Sequence, residues 1–236
     1  MKRLCIIPAR GGSKRLPGKN IKKLNGKPLI FHTIDTALGL FDKIIVTSDS
    51  ENILSVVENE YGNYSSENNT ILEISKRSDE LATDTSKVID TVSHYFDKNE
   101  GYDQIWLMLP TCPLRNRVHV REAQLCLDKE EYEGIVSITE YPFPPSLGLL
   151  EGDRGNLVRY HYSDPWRTGN SRSQDHPVVS RPNGAIYGMK SKSFDEHRNF
   201  YKGFVRGYYM SNEDSIDIDN EFEFKMADLL LKEKKK

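Results

Sequence analysis

"MKRLCIIPARGGSKRLPGKN" (residues 1–20) joins a short apolar run, residues 4–7, to a loop that holds three glycines and four cations between Arg10 and Asn20. The run is continuous and not alternating, which is the pattern of a strand covered on both faces in a parallel sheet. It stops at Pro8. A strand that empties into a glycine-rich, lysine-bearing loop is a general arrangement for cradling phosphates. Small residues let backbone N–H groups approach oxygen closely, and Lys and Arg neutralise charge. The spacing is not that of a Walker A loop. Five residues separate Gly12 from Gly18, and Asn20 stands where a hydroxyl would bind magnesium. It is not the dinucleotide GxGxxG pattern either. Nucleic acid is disfavoured as the ligand, because no aromatic side chain precedes Phe31 to stack on bases. A solvated turn is the plainer alternative.

The rest of the chain alternates strand and helix patterns. Pro28 can open a helix whose apolar stripe is Leu29, Ile30, Ile34, Ala37, Leu38 and Phe41. Strands are predicted at 43–49, 70–74, 104–109 and 134–139. Helices are predicted through Ile53, Val56 and Val57, from Thr85 through Val88, Val92 and Phe96, and over 117–128. This order implies an α/β fold with a parallel, doubly wound sheet. In such sheets ligands bind beyond the carboxyl ends of the strands. The basic loop, Asp49 and "PTCPLR" (110–115) all follow strands and so gather on that edge. From Tyr141 the texture becomes rich in Pro, Gly, Ser and Arg. Residues 141–184 read as an arm, a two-stranded excursion that packs on a second subunit. The α/β domain comprises 1–140 and 185–236, ending in a frayed basic helix, "LLLKEKKK".

Charge supports an anion site. Residues 1–34 carry nine Lys/Arg and no Asp/Glu, whereas the remainder carries 24 basic and 35 acidic residues. Cys5, Cys112 and Cys126 show neither metal-ligand spacing nor a disulfide framework. Cys5 and Cys126 read as buried thiols in a reduced, cytoplasmic protein. No stretch approaches the ~20 apolar residues of a membrane helix, and the amino terminus does not read as a signal peptide.

"SIDID" (215–219) is the second informative stretch. On a strand, Asp217 and Asp219 share one face while Ile216 and Ile218 share the other. Carboxylates about 7 Å apart on one face repel unless a cation lies between them. Magnesium, bridging carboxylate and phosphate oxygens, is the natural candidate. An exposed acidic edge strand is the alternative.

"IIPARGGSKRLPGKN" (6–20), "RSDELATDTS" (77–86), "PTCPLR" (110–115), "RPNGAIY" (181–187) and "SIDIDNEFEF" (215–224) occur in an order and at intervals that resemble one family. It is that of the sugar-activating cytidylyltransferases, in particular the CMP-sialic acid synthetases (acylneuraminate cytidylyltransferases). The resemblance spans nearly the whole chain. It implies a Rossmann-like nucleotidyltransferase fold, a mostly parallel sheet flanked by helices, with an extended dimerisation arm and a homodimer. It implies transfer of CMP from CTP to the anomeric hydroxyl of a nonulosonic acid, with Mg2+ as cofactor. Such transfers rest on positioning and charge neutralisation.

The resemblance also implies residue roles. Arg10, Gly11, Ser13, Lys14, Lys19 and Asn20 line CTP, with Arg10 and Lys19 on the phosphates and Asn20 nearer the nucleoside. Backbone near Ala9 and Arg77, with the Thr85–Ser86 turn, reads cytosine. Asp217 and Asp219 hold the metal, and Asp219 is the preferred acceptor of the sugar hydroxyl's proton. Arg172 and Arg181 meet the sugar carboxylate in fork geometry. Asn183 and Tyr187 contact the sugar, and Phe200 and Tyr201 shelter its N-acyl group. Arg15 and Lys22 are read as solvated.

Four positions depart from the family pattern. Val88 replaces a serine near the base site, Leu109 a glutamine facing the sugar, Ser146 a lysine, and Tyr201 a phenylalanine. Removing polar contacts from a site built to hydrogen-bond hydroxyls shifts specificity. The expected sugar is therefore a nonulosonic acid other than N-acetylneuraminate, such as legionaminate or another diacylated relative. A CMP-Kdo synthetase or other sugar nucleotidyltransferase is the enzymatic alternative, and a non-catalytic nucleotide-binding regulator the alternative of another class.

Overall fold

A computed structural model describes residues 1–64, 70–83, 85–129, 131–151, 156–159 and 165–234. The chain builds β1 (Arg3–Ala9), a small hairpin of β2 (Lys23–Leu24) and β3 (Lys27–Pro28), α1 (Leu29–Ala37), β4 (Lys43–Ser48), α2 (Glu51–Tyr61), β5 (Ile71–Lys76) and α3 (Val88–Asp97). It continues through β6 (Gln104–Leu107), α4 (Arg117–Leu127), β7 (Gly134–Glu140), β8 (Leu149–Glu151), β9 (Leu157–Arg159) and α5 (Pro165–Thr168). β10 (Ser180–Lys190), α6 (Ser191–His197), β11 (Val205–Tyr209) and α7 (Glu221–Glu233) complete it.

Seven strands form one sheet in the order β11-β7-β10-β6-β1-β4-β5. β10 runs antiparallel to both neighbours, and the other pairings are parallel. The alternation of β1 explains its continuous apolar run. Cys5, Ile7 and Ala9 enter one core layer with Ile30, Ile34, Val120 and Ala123 of α1 and α4. Leu4 and Ile6 enter the opposite layer with Val92, Tyr95 and Phe194. Both faces are therefore dry, as a parallel sheet flanked by helices requires. Cys5 and Cys112 are buried and Cys126 is half-buried.

Two expectations shift. β6 ends at Leu107, two residues early, which frees Leu109 and Pro110 to turn into the site. "SIDID" is not a strand: it follows a single 3-10 turn (Glu213–Ser215) as unpaired chain, anchored by Ile218 N–H to Thr111 O at 2.8 Å. Its local extension still alternates, with Ile218 buried against Leu16, Leu114 and Phe224. In the 141–184 segment, β8 and β9 form the expected two-stranded excursion. Ser180, Arg181 and Pro182 already pair with β7, so the central sheet claims them. No helix among the described residues is long and apolar enough to cross a membrane.

Candidate active site

The carboxyl ends of β1, β4, β5 and β6 share one edge of the sheet. Because β10 runs the other way, its first half, with Arg181, Asn183 and Gly184, reaches the same edge. The loop after β1 is fixed from beneath. Gly11 N–H donates to Asp49 Oδ1 at 3.0 Å, and Arg77 Nη2 donates to the same oxygen at 2.9 Å. Burial alone would raise the Asp49 pKa, but the Gly11 N–H and the Arg77 guanidinium outweigh it and hold the carboxyl below its ordinary range. A side chain at Gly11 would lie 2.8 Å from Ser50 Cβ, so the loop can approach only with glycine there.

Further along the loop, Asn20 Nδ2 donates to Arg10 O at 2.9 Å. Asn20 is buried, and no donor reaches its Oδ1. Lys19, also buried, sends its ammonium to Ile218 O at 2.6 Å and to within 3.3 Å of Asp219 Oδ1. Arg15 Nη2 lies 2.7 Å from Asp219 Oδ2. Arg15 is thus ion-paired and not merely solvated, which corrects the sequence reading; Lys22 pairs with Glu221 on the surface.

These contacts close a cleft of roughly 510 Å³ lined by Arg10, Ser13, Lys14, Arg15, Lys19, Asn20, Leu109, Thr111 and both aspartates. Its floor is tightly built. Gly184 has φ +80°, and a side chain there would lie 3.2 Å from Asp217 Oδ2 and 3.3 Å from Cys112 Sγ. Burial raises the Asp217 pKa, and the charge of Asp219 adds to this against the Thr111 hydroxyl and Lys19. Asp219 is differently placed: cations face both of its oxygens, and its N–H donates to Glu223 Oε2 at 2.6 Å.

A second hollow of roughly 460 Å³ reaches the same two aspartates from the other side, bounded by Pro142, Arg181, Asn212, Ser215, Ile216 and Glu223. Arg181 is therefore brought to the site. Leu109 lines the first cleft and also packs with the layer holding Tyr187 and Phe200. Tyr187 lies 5.7 Å from Phe200 and 6.1 Å from Tyr201, ring centre to ring centre. Tyr187, Phe200 and Tyr201 thus form an aromatic cluster in the layer that Leu109 packs on; of these four residues, Leu109 alone lines a hollow.

Other expected residues are placed elsewhere. Arg172 is exposed, 3.8 Å from Asp175, and lines neither hollow. Asn183 is buried with its amide fully engaged: Oδ1 accepts from Ser137 Oγ and Ala185 N–H, while Nδ2 donates to Ser215 Oγ and Met210 Sδ. It is a brace behind the site and does not reach the cleft. The Arg77 side chain likewise serves Asp49. Ala9 is buried in β1, and Thr85 and Ser86 lie in a turn held by Thr83 and the Glu80 carbonyl, away from the cleft wall. Sequence reading missed Arg115, which is fully buried. It donates to Ala185 O and Thr33 Oγ1, both at 2.6 Å, tying "PTCPLR" to β10; burial lowers its pKa to about 10. A lone charge closing an otherwise uncharged motif was the available signal.

Among the described residues, no group of three or more His, Cys, Asp or Glu forms a ready metal cage. Two carboxylates beside a phosphate-sized basic cleft nevertheless suit magnesium, which usually takes one or two carboxylates together with substrate phosphates.

The family model for cytidylyltransferase matches residues 4–105. The chain is 34% identical over 228 residues to N-acylneuraminate cytidylyltransferase of Streptococcus agalactiae serotype V, covering 95% of this chain and 52% of that protein. It thus spans about half the length of that relative. It is 33% identical to CMP-N,N'-diacetyllegionaminic acid synthase of Legionella pneumophila and 31% identical to pseudaminic acid cytidylyltransferase of Campylobacter jejuni. In both cases 98% of this chain and 97% of the relative are covered. Among solved structures, a CMP:2-keto-3-deoxy-manno-octonic acid synthetase complexed with CTP superposes with TM-score 0.66 at 16% identity, covering 99% of this chain and 100% of that one. That likeness speaks for the nucleotidyltransferase fold. With identity above 30% along essentially the full length of two relatives, the chain belongs to the CMP-sialic acid synthetase family of cytidylyltransferases.

Proposed function

We propose that the protein transfers CMP from CTP to the anomeric hydroxyl of a nonulosonic acid and releases pyrophosphate. The observation that carries this is Lys19, whose ammonium spans from the basic loop to Ile218 O and Asp219 across one cleft. The loop supplies cations for a triphosphate, and the aspartates lie where its phosphates would end.

In the proposed reaction the anomeric oxygen forms a bond to the α-phosphorus of CTP. The bond from that phosphorus to the oxygen bridging the β-phosphate breaks, and pyrophosphate departs with its electron pair. Arg10, Lys14 and Lys19 neutralise the leaving charge, which is where most of the rate in such transfers arises. The hydroxyl proton passes to a carboxylate. In place of the Asp219 expected from sequence we assign this role to Asp217, because both oxygens of Asp219 are already engaged by Lys19 and Arg15. Magnesium, when bound by Asp217 and Asp219, would neutralise phosphate charge. Backbone beside Ala9, where β1 opens into the basic loop between Pro8 and Arg10 of the cleft, is proposed to read cytosine.

Arg181, bordering the second hollow beside the aspartates, is the proposed partner of the sugar carboxylate. Leu109 at the cleft, with the aromatic cluster of Tyr187, Phe200 and Tyr201 in the layer it packs on, is proposed to favour apolar acyl substituents over hydroxyls. A diacylated nonulosonic acid is the proposed sugar, in keeping with the near full-length relatives named for legionaminic and pseudaminic acids. We further propose a homodimer formed through the 141–184 segment. Pyrophosphate release with CTP, Mg2+ and a panel of neuraminate, diacetyllegionaminate, pseudaminate and Kdo tests the reading. Turnover of a diacylated sugar is expected; equal or faster turnover of neuraminate defeats the substrate assignment, and no turnover of any of the four defeats the activity.

A further inference from the structure

Asp219 is an unusual metal ligand in one respect. Lys19 faces its Oδ1 at 3.3 Å and Arg15 faces its Oδ2 at 2.7 Å. The two cations differ in kind. Lys19 is almost wholly buried and is locked to Ile218 O at 2.6 Å, so it is a fixture of the wall. Arg15 is 69% exposed and extends from the loop to the carboxylate as a solvent-washed ion pair. Such a pair is weak and exchanges readily. A divalent cation bonded to Asp219 would sit within a few ångströms of the Arg15 guanidinium at its present position, and the two positive charges would repel.

We infer that Arg15 is a placeholder cation: it occupies Asp219 while the cleft is empty and transfers to the phosphates when nucleotide enters, so that the carboxylate pair becomes a divalent-metal site only in the presence of the triphosphate. Arg15 lines the same cleft as the rest of the basic loop, so the phosphates are within its reach. The arrangement makes Arg15 a positioning residue that couples metal binding to nucleotide binding. It rests on the proposal above that Asp217 and Asp219 hold the metal.

The test measures Mn2+ binding by the electron paramagnetic resonance of free Mn2+, on the full chain, with and without a CTP analogue bearing a methylene between the α- and β-phosphates. Without nucleotide, Arg15→Gln is expected to bind Mn2+ about three- to tenfold more tightly than wild type, as removal of one close, solvent-screened charge allows. Arg15→Lys should lie near wild type. With the analogue present, the advantage of Arg15→Gln should vanish, and its affinity for the analogue should fall. Lys14→Gln removes an equal charge from the same loop and serves as control; its Mn2+ affinity without nucleotide should move by less than twofold. Arg15→Gln matching wild type, or Lys14→Gln matching Arg15→Gln, overturns the inference while leaving the metal assignment intact. Wild type that binds no Mn2+ even with the analogue removes the metal assignment and the inference together. Thermal melting checks that each variant is folded, as expected for changes to exposed side chains.

Discussion

Lys19 shows how a single side chain can unite two distant parts of a sequence. Its backbone belongs to a 3-10 turn that begins after Gly18, whose φ of +66° bends the loop back toward the sheet. Its ammonium then reaches the carbonyl of Ile218. Lys19→Ala is expected to lower the rate of pyrophosphate release by roughly 10²–10³-fold, the range seen when one preorganised charge-stabilising donor is lost. Gly184 is the matching constraint on the floor. Its φ of +80° is a conformation that only glycine adopts without cost, and a side-chain carbon there would press on Asp217 Oδ2 at 3.2 Å. Gly184→Ala should destabilise the fold by about 1–3 kcal/mol, read as a lower urea midpoint, and should depress activity in the fraction that remains folded.

At the scale of elements, the site depends on how helices and loops are terminated. Asn220 caps α7 through Phe222 N–H and Glu223 N–H, and Glu223 returns to the backbone of Asn220 and Asp219. The helix start thereby sets the direction of the aspartate segment. Asn220→Ala should cost about 1 kcal/mol of stability in chemical denaturation and raise the Mg2+ concentration needed for half-maximal rate. The clamp of Gly11, Asp49 and Arg77 does the same for the opening loop. Because the folded state depresses the Asp49 pKa, its stabilisation is complete above the unfolded carboxyl value of about 4 and is lost as pH falls through the lower folded value. The stability gap between wild type and Asp49→Asn should therefore be largest above pH ~5 and shrink below pH ~4. A gap that is constant across that range would show that Asp49 does not act through its charge.

For the molecule as a whole, the 141–184 segment leaves apolar side chains in water. Leu157 is 70% and Val178 75% exposed, with Phe143, Leu150 and Trp166 also substantially open. Apolar surface of this kind commonly marks an association face. Sedimentation is expected to give twice the 27.1 kDa chain mass. The double variant Leu157→Asp with Val178→Asp should sediment as a monomer with its sheet intact by circular dichroism. A wild-type monomer at working concentration would refute the dimer.

Much of this was legible in the one-dimensional pattern. The unbroken apolar runs at 4–7 and 44–46 marked strands covered on both faces, because burial on two sides leaves neither face to alternate with water. The basic loop and the paired aspartates were visible because the phosphate and divalent-cation chemistry proposed for them restricts residue types. Arg15 and Asn183 were misjudged for a common reason. Whether a polar side chain meets water, a ligand or another residue depends on what packs opposite it, and those partners lie about 200 and 30–50 positions away. "SIDID" kept its alternation without a strand, since one hydrogen bond to Thr111 and the burial of Ile218 suffice to extend it. Local chemistry thus determined the fold class and pointed to the kind of ligand proposed. Only long-range packing decided which of the charged groups face the cleft and which hold it open.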